Sequence, residues 1–335
     1  MTKLSLAIRV DSSQKIGTGN IKRSILIAKE FKRKNFKVYF VKTSLDYDNE
    51  LKKLGFNIFH IKKKKNFENR ILKFVKKKKI SAYFTDLIKT EIKVEKILKK
   101  KVPVFVFEDE MNSHICKLYF NPNVDIKKTD LIRKKISSEK NYLGKKYFVL
   151  TKIKKKRSNT NNKVLVSFGG SDNSNQTEKV VKALEIFFNT KYEIYVCLGR
   201  NYKNKKKLKM KYQNIINLKF FSSEQLSDII YKFNFIIGSC GQSLLERIYL
   251  NKYSLSAITS NNQYLLAKSL KRFNFTKIIN LSSYPKKIKI NKWRKEIIKY
   301  LKMKKIKIDS QNYFERNGIK KIVKIMINKI NDKRI

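Results

Sequence analysis

A short apolar run, a glycine-containing turn and an amphipathic helix open this chain and constrain its fold more than any other feature. The run ends at Val10, the turn contains Gly17 and Gly19, and apolar residues recur at helical spacing from Ile21. A strand, a loop and a helix in this order place backbone N–H groups beside the carboxyl end of the strand, where open α/β sheets bind anions. A structural turn between a strand and a helix also needs glycine, so the segment alone leaves both interpretations open.

The same alternation continues along the chain and predicts two domains. Apolar runs predict strands at 4–10, 38–41, 57–61, 80–85, 102–107 and 118–121, and again at 164–168, 193–198, 215–218, 233–237 and 254–258. Because helical patterns separate most of these runs, we predict an α/β fold with two doubly wound, mostly parallel sheets. The polar segment 152–162 predicts a linker between domains at 1–151 and 163–335, and the stretch 292–330 has a helical pattern. Ligands are expected in a cleft between the domains, at the strand ends.

The composition excludes several classes of protein. The chain has 335 residues, enough for two domains, and its hydrophobic fraction of 41% is too high for a disordered protein. No apolar run reaches the length of a membrane-spanning helix. The cysteines Cys116, Cys197 and Cys240 are far apart and form neither a metal-binding nor a disulfide spacing. We therefore expect a cytoplasmic protein without a metal or another cofactor.

The net charge of +54 favours an anionic partner, but the type of basic residue weakens that interpretation. Of the 80 basic residues only 12 are arginine, and the lysines are spread along the whole chain. AT-rich coding would produce such a solvated basic surface, while weak association with an anionic membrane is the alternative. No aromatic and basic motif of an RNA-binding module is present, so we expect no specific nucleic-acid partner. In either case the field attracts a charged nucleotide.

Two glycine-containing turns in the second half are candidate phosphate-binding loops. Gly169 and Gly170 follow one predicted strand, Gly238 and Gly241 follow another, and a helical pattern begins after each turn. Paired loops of this kind can hold a diphosphate through backbone N–H groups and helix dipoles. Tight turns without a ligand remain the alternative.

Polar side chains near the second turn are candidates for nucleotide binding. Glu246 lies one turn into the helix, where its carboxylate can accept hydrogen bonds from two ribose hydroxyls or interact with the helix dipole. Asn262 and Gln263 begin the next helix, where they can bind a sugar or phosphate or cap the helix.

Short motifs along nearly the whole chain also carry a family resemblance. They comprise Arg9, Asp11, Ser13, Gly17, Gly19 and Arg23; then Glu108, Asp109, Glu110, His114, Cys116, Asn121 and Asn123; then Phe168, Gly169, Gly170, Ser171, Asp172, Gly238, Gly241, Ser243, Glu246, Arg247, Asn262 and Gln263. In this order and spacing they resemble the UDP-sugar hydrolases of pseudaminic acid biosynthesis. That family is related to the glycosyltransferase that makes lipid II and shares its two-domain GT-B architecture.

The resemblance implies a substrate and a reaction. The substrate would be a UDP-linked 2,4-diacetamido-trideoxy sugar, and water would attack its anomeric carbon with inversion while UDP leaves. UDP would lie on the second domain, with Glu246 at the ribose and with the loop from Gly238 to Ser243, Asn262 and Gln263 near the diphosphate and sugar. The other matching positions assigned to substrate binding are Arg9, Gly17, Gly19, Arg23, Gly169 and Gly170.

The chain departs from the family at the expected base. The family places a histidine after the Gly17-x-Gly19 turn, but this chain has Asn20, whose amide can orient a water and cannot accept its proton near neutral pH. The family also commonly has Asp-x-Tyr after the strand predicted at 80–85, and here Ile88 replaces the tyrosine. Both departures fall in the first domain.

The remaining candidates for a base leave several functions open. Asp11 can act as a base or cap its turn, and His114 matches a family position in a polar loop, whereas His60 ends an apolar strand and fits a surface or packed role. One hypothesis is a hydrolase in which Asp11 or His114 replaces the missing base. The alternatives are a UDP-sugar glycosyltransferase and a protein that binds a nucleotide sugar without turnover.

Overall fold

The computed structural model describes residues 3–13, 16–62, 65–123, 125–150, 153, 162–303, 306, 308–310, 313–314 and 317–332. These residues divide into two compact units. The first lies within 1–16, 20–150 and 314–335, and the second lies within 17–19 and 151–313. Each unit contains one parallel sheet with helices packed on it.

Helices and strands alternate in both halves of the described chain. The first half contains β1 (Ser5–Val10), α1 (Gly19–Arg33), β2 (Lys37–Lys42), α2 (Asp48–Lys53), β3 (Asn57–His60), α3 (Phe67–Lys77), β4 (Ala82–Asp86), α4 (Ile92–Leu98), β5 (Val104–Phe107), β6 (His114–Asn121), α5 (Lys128–Arg133) and β7 (Ile136–Leu143). The second half contains β8 (Lys163–Ser167), α6 (Gln176–Leu184), β9 (Glu193–Leu198), α7 (Lys205–Lys211), β10 (Leu218–Ser222), α8 (Leu226–Ile229), β11 (Phe235–Ser239), α9 (Gln242–Tyr249), β12 (Ser254–Ala257), α10 (Tyr264–Leu270), β13 (Thr276–Ile278), α11 (Ile290–Lys302) and α12 (Gly318–Asn331).

The strand order makes both sheets doubly wound. The first sheet has the order β3-β2-β1-β4-β5-β6-β7 and the second has β10-β9-β8-β11-β12-β13, with parallel pairing throughout the described strands. The order reverses between β1 and β4 and between β8 and β11. Such switch points are where doubly wound sheets bind ligands, outside the carboxyl ends of the strands. The predicted fold class of two Rossmann-like parallel sheets is confirmed.

The sheets are buried on both faces, which explains why most strands were visible as continuous apolar runs. In the first unit Leu6 and Ile8 pack on one face of β1 with Phe31 of α1, while Ala7 packs on the other face with Ile71 of α3. Full burial of a leucine, isoleucine or phenylalanine side chain contributes roughly 1.5–3 kcal/mol. In the described part of the chain, no helix combines the length and the apolar character needed to cross a membrane.

The sequence predictions located the edge strand β3 but failed at the other three sheet edges. The strands β7 and β13 were not predicted, because β7 carries mostly exposed polar side chains and β13 has only three residues. The strand predicted at 215–218 instead begins at Leu218, and Ile216 is 88% exposed. An edge strand has one neighbour and needs no continuous apolar run, so hydrophobic pattern alone does not locate it.

The last helix corrects the predicted domain boundary. Ile322, Val323 and Met326 of α12 are buried in the core of the first unit, so the domain predicted at 163–335 does not include this helix. Its amphipathic pattern predicts that it covers a core but does not specify which one. The described residues between α11 and α12 are not helical. Of the predicted linker 152–162, all but Ile153 and Asn162 lie outside the described residues.

Candidate functional site

An arginine on α1 joins three elements at the switch point of the first sheet. The β1 residue Val10 is paired with Asp86 at the end of β4. Arg23 donates to Asp86 through Nε and Nη2, at 2.9 and 2.6 Å, and to the carboxylate of Asp109 through Nη1, at 2.7 and 2.8 Å. Its guanidinium also lies 4.3 Å from the ring centroid of Phe107. Arg23 therefore fixes α1 to the ends of β4 and β5.

Asn20, at the position of the family histidine, is held by the same carboxylate. Its Nδ2 group donates to Asp86 Oδ1 at 2.8 Å and to the backbone oxygen of Asp86 at 3.3 Å. Its Oδ1 accepts no hydrogen bond from the described residues. This fixed amide can accept a hydrogen bond from a water, but it cannot remove a proton.

The glycines of the first turn differ in what their positions require. Gly17 has a φ of +88°, which favours glycine, whereas Gly19 begins α1 and a Cβ there would meet open space.

Asp11 forms an ion pair that makes it a poor base. It accepts hydrogen bonds from Arg9 at 2.6 Å and from the backbone and hydroxyl of Thr43 at 2.7 and 2.8 Å. Burial alone would raise the pKa of Asp11, but the bonds and charge of Arg9, with the bonds from Thr43, hold it below its ordinary value. Arg9 has no exposed surface and also binds both carboxylate oxygens of Glu91. Through these contacts Arg9 and Asp11 hold the end of β1 to Thr43 and Glu91, which indicates a structural role for both residues.

His114 is buried between two carboxylates. Its Nδ1 lies 2.8 Å from Glu95 and its Nε2 lies 3.3 Å from Glu108, which also accepts a hydrogen bond from Tyr119. Burial would lower the pKa of His114, but Glu108 and Glu95 together raise it to about 9. The imidazole is therefore protonated near neutral pH and cannot accept a proton from water. This placement does not suit the role of base that was predicted for His114.

The His114 cluster predicts a pH-dependent stability. Because the folded-state pKa exceeds the ordinary value of 6.5, the contribution is complete below pH 6.5 and is lost as the pH rises through about 9. We expect up to about 3 kcal/mol of the free energy of unfolding to disappear over this interval. Urea unfolding between pH 6.5 and 9 should show a smaller decline for His114→Gln than for the natural protein. His60→Gln, which changes a half-exposed histidine, should keep the decline; equal declines in all three proteins would contradict this assignment.

The switch point collects carboxylates in an otherwise basic chain. Seven of the 26 acidic residues lie in the contacts just described or beside them: Asp11, Asp86, Glu91, Glu95, Glu108, Asp109 and Glu110. Glu110 is half-buried and pairs with no basic side chain of the described residues. Burial and the charge of Glu108 raise the pKa of Glu110 above its ordinary value. It is thus better suited to exchange a proton than Asp11 or His114, which sequence analysis had favoured.

The first glycine turn of the second unit leads to a helix that is already capped. Gly169 has a φ of +82°, and the Asp172 carboxylate accepts backbone N–H groups from Gln176 at 2.9 Å and Thr177 at 2.6 Å. A carboxylate at the first turn of α6 satisfies these donors and repels a phosphate.

A glycine that sequence analysis did not single out explains why this turn is compact. A Cβ on Gly199, at the end of β9, would lie 2.1 Å from the backbone oxygen of Gly169 and 2.5 Å from that of Gly170. The turn at Gly169 and Gly170, after β8, therefore packs directly against the end of β9.

The second glycine turn leads to α9, whose first turn contains no acidic residue. Gly241, which precedes this turn, has no side chain that could cap it. Gly238 serves packing instead, because a Cβ there would lie 2.3 Å from the Ser167 backbone oxygen and 2.8 Å from Arg247 Nη1. The first turn of α9 is therefore the better of the two sites for an anion.

The remaining predicted residues lie around the same turn. A Cβ on Gly241 would lie 3.5 Å from Gln263 Nε2, so the loops after β11 and β12 are neighbours. The Gln263 side chain accepts from the backbone of Thr259 at 3.0 Å, and Asn262 accepts from Ser260 at 2.6 Å. These bonds order the second loop.

The α9 helix presents its own polar residues near this turn. Ser243 and Glu246 are separated by three positions and therefore share a face. Arg247 is buried, and its Nη1 group donates to Ser243 Oγ at 3.3 Å.

No cluster of three or more His, Cys, Asp or Glu side chains in the described residues is arranged to hold a metal ion. The three cysteines are buried and form no disulfide bond with one another.

The two doubly wound parallel sheets are those of the GT-B fold, and solved structures of other proteins share this fold with the chain. S. aureus MnaA, solved with UDP, has a TM-score of 0.68 at 12% identity, covering 98% of this chain and 97% of that one. MurG of Acinetobacter baumannii has a TM-score of 0.65 at 12% identity, and the match covers 97% of this chain and 99% of that one. UDP-GlcNAc 2-epimerase of Methanocaldococcus jannaschii has a TM-score of 0.62 at 14% identity, and the match covers 97% of this chain and 100% of that one. At these identities the likeness shows the fold alone.

One curated protein is similar in sequence. The uncharacterized protein MJ1062 of Methanocaldococcus jannaschii is 27% identical over 267 residues, which is 74% of this chain and 54% of that protein. The chain thus spans about half the length of this relative. No model of a known protein family matches the chain.

Proposed function

We propose that this protein is a nucleotide-sugar-processing enzyme that binds UDP at the first turn of α9. One observation carries the proposal: the first turn of α9 contains no acidic residue, whereas two backbone N–H groups at the start of α6 are already bound by Asp172. A helix start of this kind supplies N–H groups and a positive dipole end to a diphosphate. The likeness to S. aureus MnaA, solved with UDP, supports the choice of nucleotide.

The residues around α9 take distinct roles in this proposal. Gly241 allows the diphosphate to approach the backbone, and Ser243 donates its hydroxyl to a phosphate oxygen. Glu246, on the same face as Ser243, accepts the ribose hydroxyls. Asn262 and Gln263 lie on the neighbouring loop, toward the diphosphate and sugar.

We further propose that the bond cleaved joins the anomeric carbon to the diphosphate. Water attacks that carbon, the carbon–oxygen bond breaks and UDP leaves with the electron pair, while the sugar is released with inversion. The resemblance of the motifs to the hydrolases of pseudaminic acid biosynthesis supports this reaction and a diacetamido-trideoxy sugar as substrate. Asn20 orients the water, and Glu110 accepts its proton because its pKa is raised and no described cation neutralises it.

Transfer to an acceptor hydroxyl is the second candidate, and Asn20 in place of a histidine favours it. Incubation with the UDP-diacetamido sugar, followed by measurement of UDP, separates the candidates. A hydrolase releases UDP without an acceptor, and a transferase releases it only when a cell extract supplies one. Binding without release under either condition would overturn both reactions and leave a nucleotide-sugar-binding protein.

Glu246→Ala should weaken UDP binding. If the carboxylate binds the ribose, we expect a loss of more than about 1 kcal/mol, or roughly a fivefold to tenfold higher Kd by calorimetry. Glu193→Ala is the matched control. It removes the same charge, but Glu193 is the first residue of β9 and lies at the opposite end of the strand from the candidate binding loops. Equal Kd values for the Glu246 variant and the natural protein would remove the ribose role.

A further inference from the structure

Arg247 carries a buried positive charge without a buried carboxylate beside it. Its guanidinium donates to Ser254 Oγ at 3.2 Å, Ser256 Oγ at 3.2 Å, the backbone oxygen of Ser239 at 2.7 Å and Ser243 Oγ at 3.3 Å. All these acceptors are neutral. The side chain is 1% exposed, so water does not replace the missing counter-ion.

The two other buried arginines of the described chain show how unusual this is. Arg9 pairs with Asp11 and Glu91, and Arg23 pairs with Asp86 and Asp109. Among the described residues Arg247 forms no such pair. Burial lowers the pKa of Arg247 to about 10, and Cys240, Tyr300 and the acidic neighbour Glu246 offset this effect only in part. A charged side chain in the interior is costly unless an opposite charge and hydrogen bonds compensate for its lost hydration.

A column of hydroxyl groups fixes the guanidinium in place. The hydroxyl groups of Ser254, Ser256 and Thr276 lie within 3.2 Å of each other on β12 and β13, and Thr276 also donates to the backbone oxygen of Ser254 at 2.7 Å. The arginine is therefore held rigidly below the first turn of α9.

The bond to Ser243 connects this charge to the helix start. Because Arg247 Nη1 donates to Ser243 Oγ, that oxygen acts as the acceptor and its own hydrogen can be donated elsewhere. Arg247 lies one turn further along α9 and shares this face of the helix.

We propose that Arg247 is a positioning residue whose uncompensated charge makes the first turn of α9 selective for a diphosphate, with the ligand serving as its counter-ion. The inference rests on the proposed function. The charge acts in two ways: it orients the Ser243 hydroxyl toward the phosphate, and it adds to the positive end of the helix dipole in a region of low dielectric. Uridine has no phosphate group, so neither effect increases its affinity.

The test is the ratio of uridine Kd to UDP Kd, measured by calorimetry on the full chain. Each variant serves as its own reference, so a general loss of stability does not change the ratio. We expect Arg247→Gln to lower this ratio about tenfold, and Arg247→Lys, which keeps the charge, to stay within about threefold of the natural protein.

A second pair of variants keeps the arginine. Ser256→Asp places a carboxylate against the guanidinium and supplies the missing counter-ion, and Ser256→Asn is its neutral match in size. We expect Ser256→Asp to lower the ratio about tenfold relative to Ser256→Asn. This pair decides the question if Arg247→Gln does not fold.

The outcomes separate the inference from the function on which it rests. Unchanged ratios in Arg247→Gln and Ser256→Asp, with UDP still preferred over uridine, would overturn the role of Arg247 alone. A natural protein that binds uridine and UDP equally would overturn the proposed diphosphate site itself.

Discussion

Replacing Asn20 with histidine is expected to raise acceptor-free UDP release by about 10²-fold, the lower end of what a general base contributes. The Asn20 amide donates to Asp86 Oδ1 at 2.8 Å, so an imidazole at this position can donate Nδ1–H to the same carboxylate. Its Nε2 then becomes an acceptor for the proton of the attacking water, in an arrangement where a carboxylate orients the base. The measurement is the initial rate of UDP release from the UDP-diacetamido sugar as a function of pH.

Two comparisons make this experiment specific. Asn20→Gln keeps an amide and should give no gain, and the rate of Asn20→His should rise with pH through the range in which a histidine loses its proton. Adding Glu110→Gln should reduce the rate of the natural protein more than that of the histidine variant. If the histidine variant binds UDP normally and shows no gain, the first unit is not organised around position 20.

Replacing Arg23 with methionine is expected to lower the free energy of unfolding of the first unit by about 3–5 kcal/mol. The change leaves Asp86, which has no exposed surface, without its cation and without two hydrogen bonds, and it also releases Asp109. Burial raises the pKa of Asp86 even with Arg23 present. Without the guanidinium, keeping this buried carboxylate ionised costs additional free energy.

The two units can be followed separately in this experiment. Trp293, the single tryptophan of the sequence, is buried in the second unit and donates to Gln176 at 2.8 Å. Its fluorescence therefore reports the second unit during urea unfolding, while far-ultraviolet circular dichroism reports both. Arg23→Met should shift the dichroism transition more than the fluorescence transition.

Arg33→Met is the matched control for Arg23. Its guanidinium is 62% exposed and pairs with Glu30 three positions earlier, so its loss should cost less than about 0.5 kcal/mol. Equally small effects for both variants would mean that the buried network contributes no stability.

Sequence patterns were sufficient for the fold because the central strands are buried on both faces. In a strand such as β1, all six residues are buried and four of them are apolar, and the glycine turns mark where strands give way to helices. The edge strand β7 needs no such run and was missed. The amphipathic pattern of α12 shows that one face of the helix is buried, but a local pattern does not show which of the two cores it packs on.

The site was harder to predict, because its properties depend on residues distant in sequence. Thr43 binds Asp11 from 32 positions away, and Glu95 binds His114 from 19 positions away. These partners turn two plausible bases into a saturated carboxylate and a protonated imidazole. Arg247 was visible only as the neighbour of Glu246 in a motif, since its burial among hydroxyl groups follows from the pairing of β12 with β13.

The most direct measurement of the central claim is a crystal structure of the full chain with UDP. We expect the diphosphate oxygens to lie within hydrogen-bond distance of backbone N–H groups in the first turn of α9 and of Ser243 Oγ, with the ribose hydroxyls on Glu246. A diphosphate found at the first turn of α6, or held by the carboxylate-rich switch point of the first unit, would contradict the account.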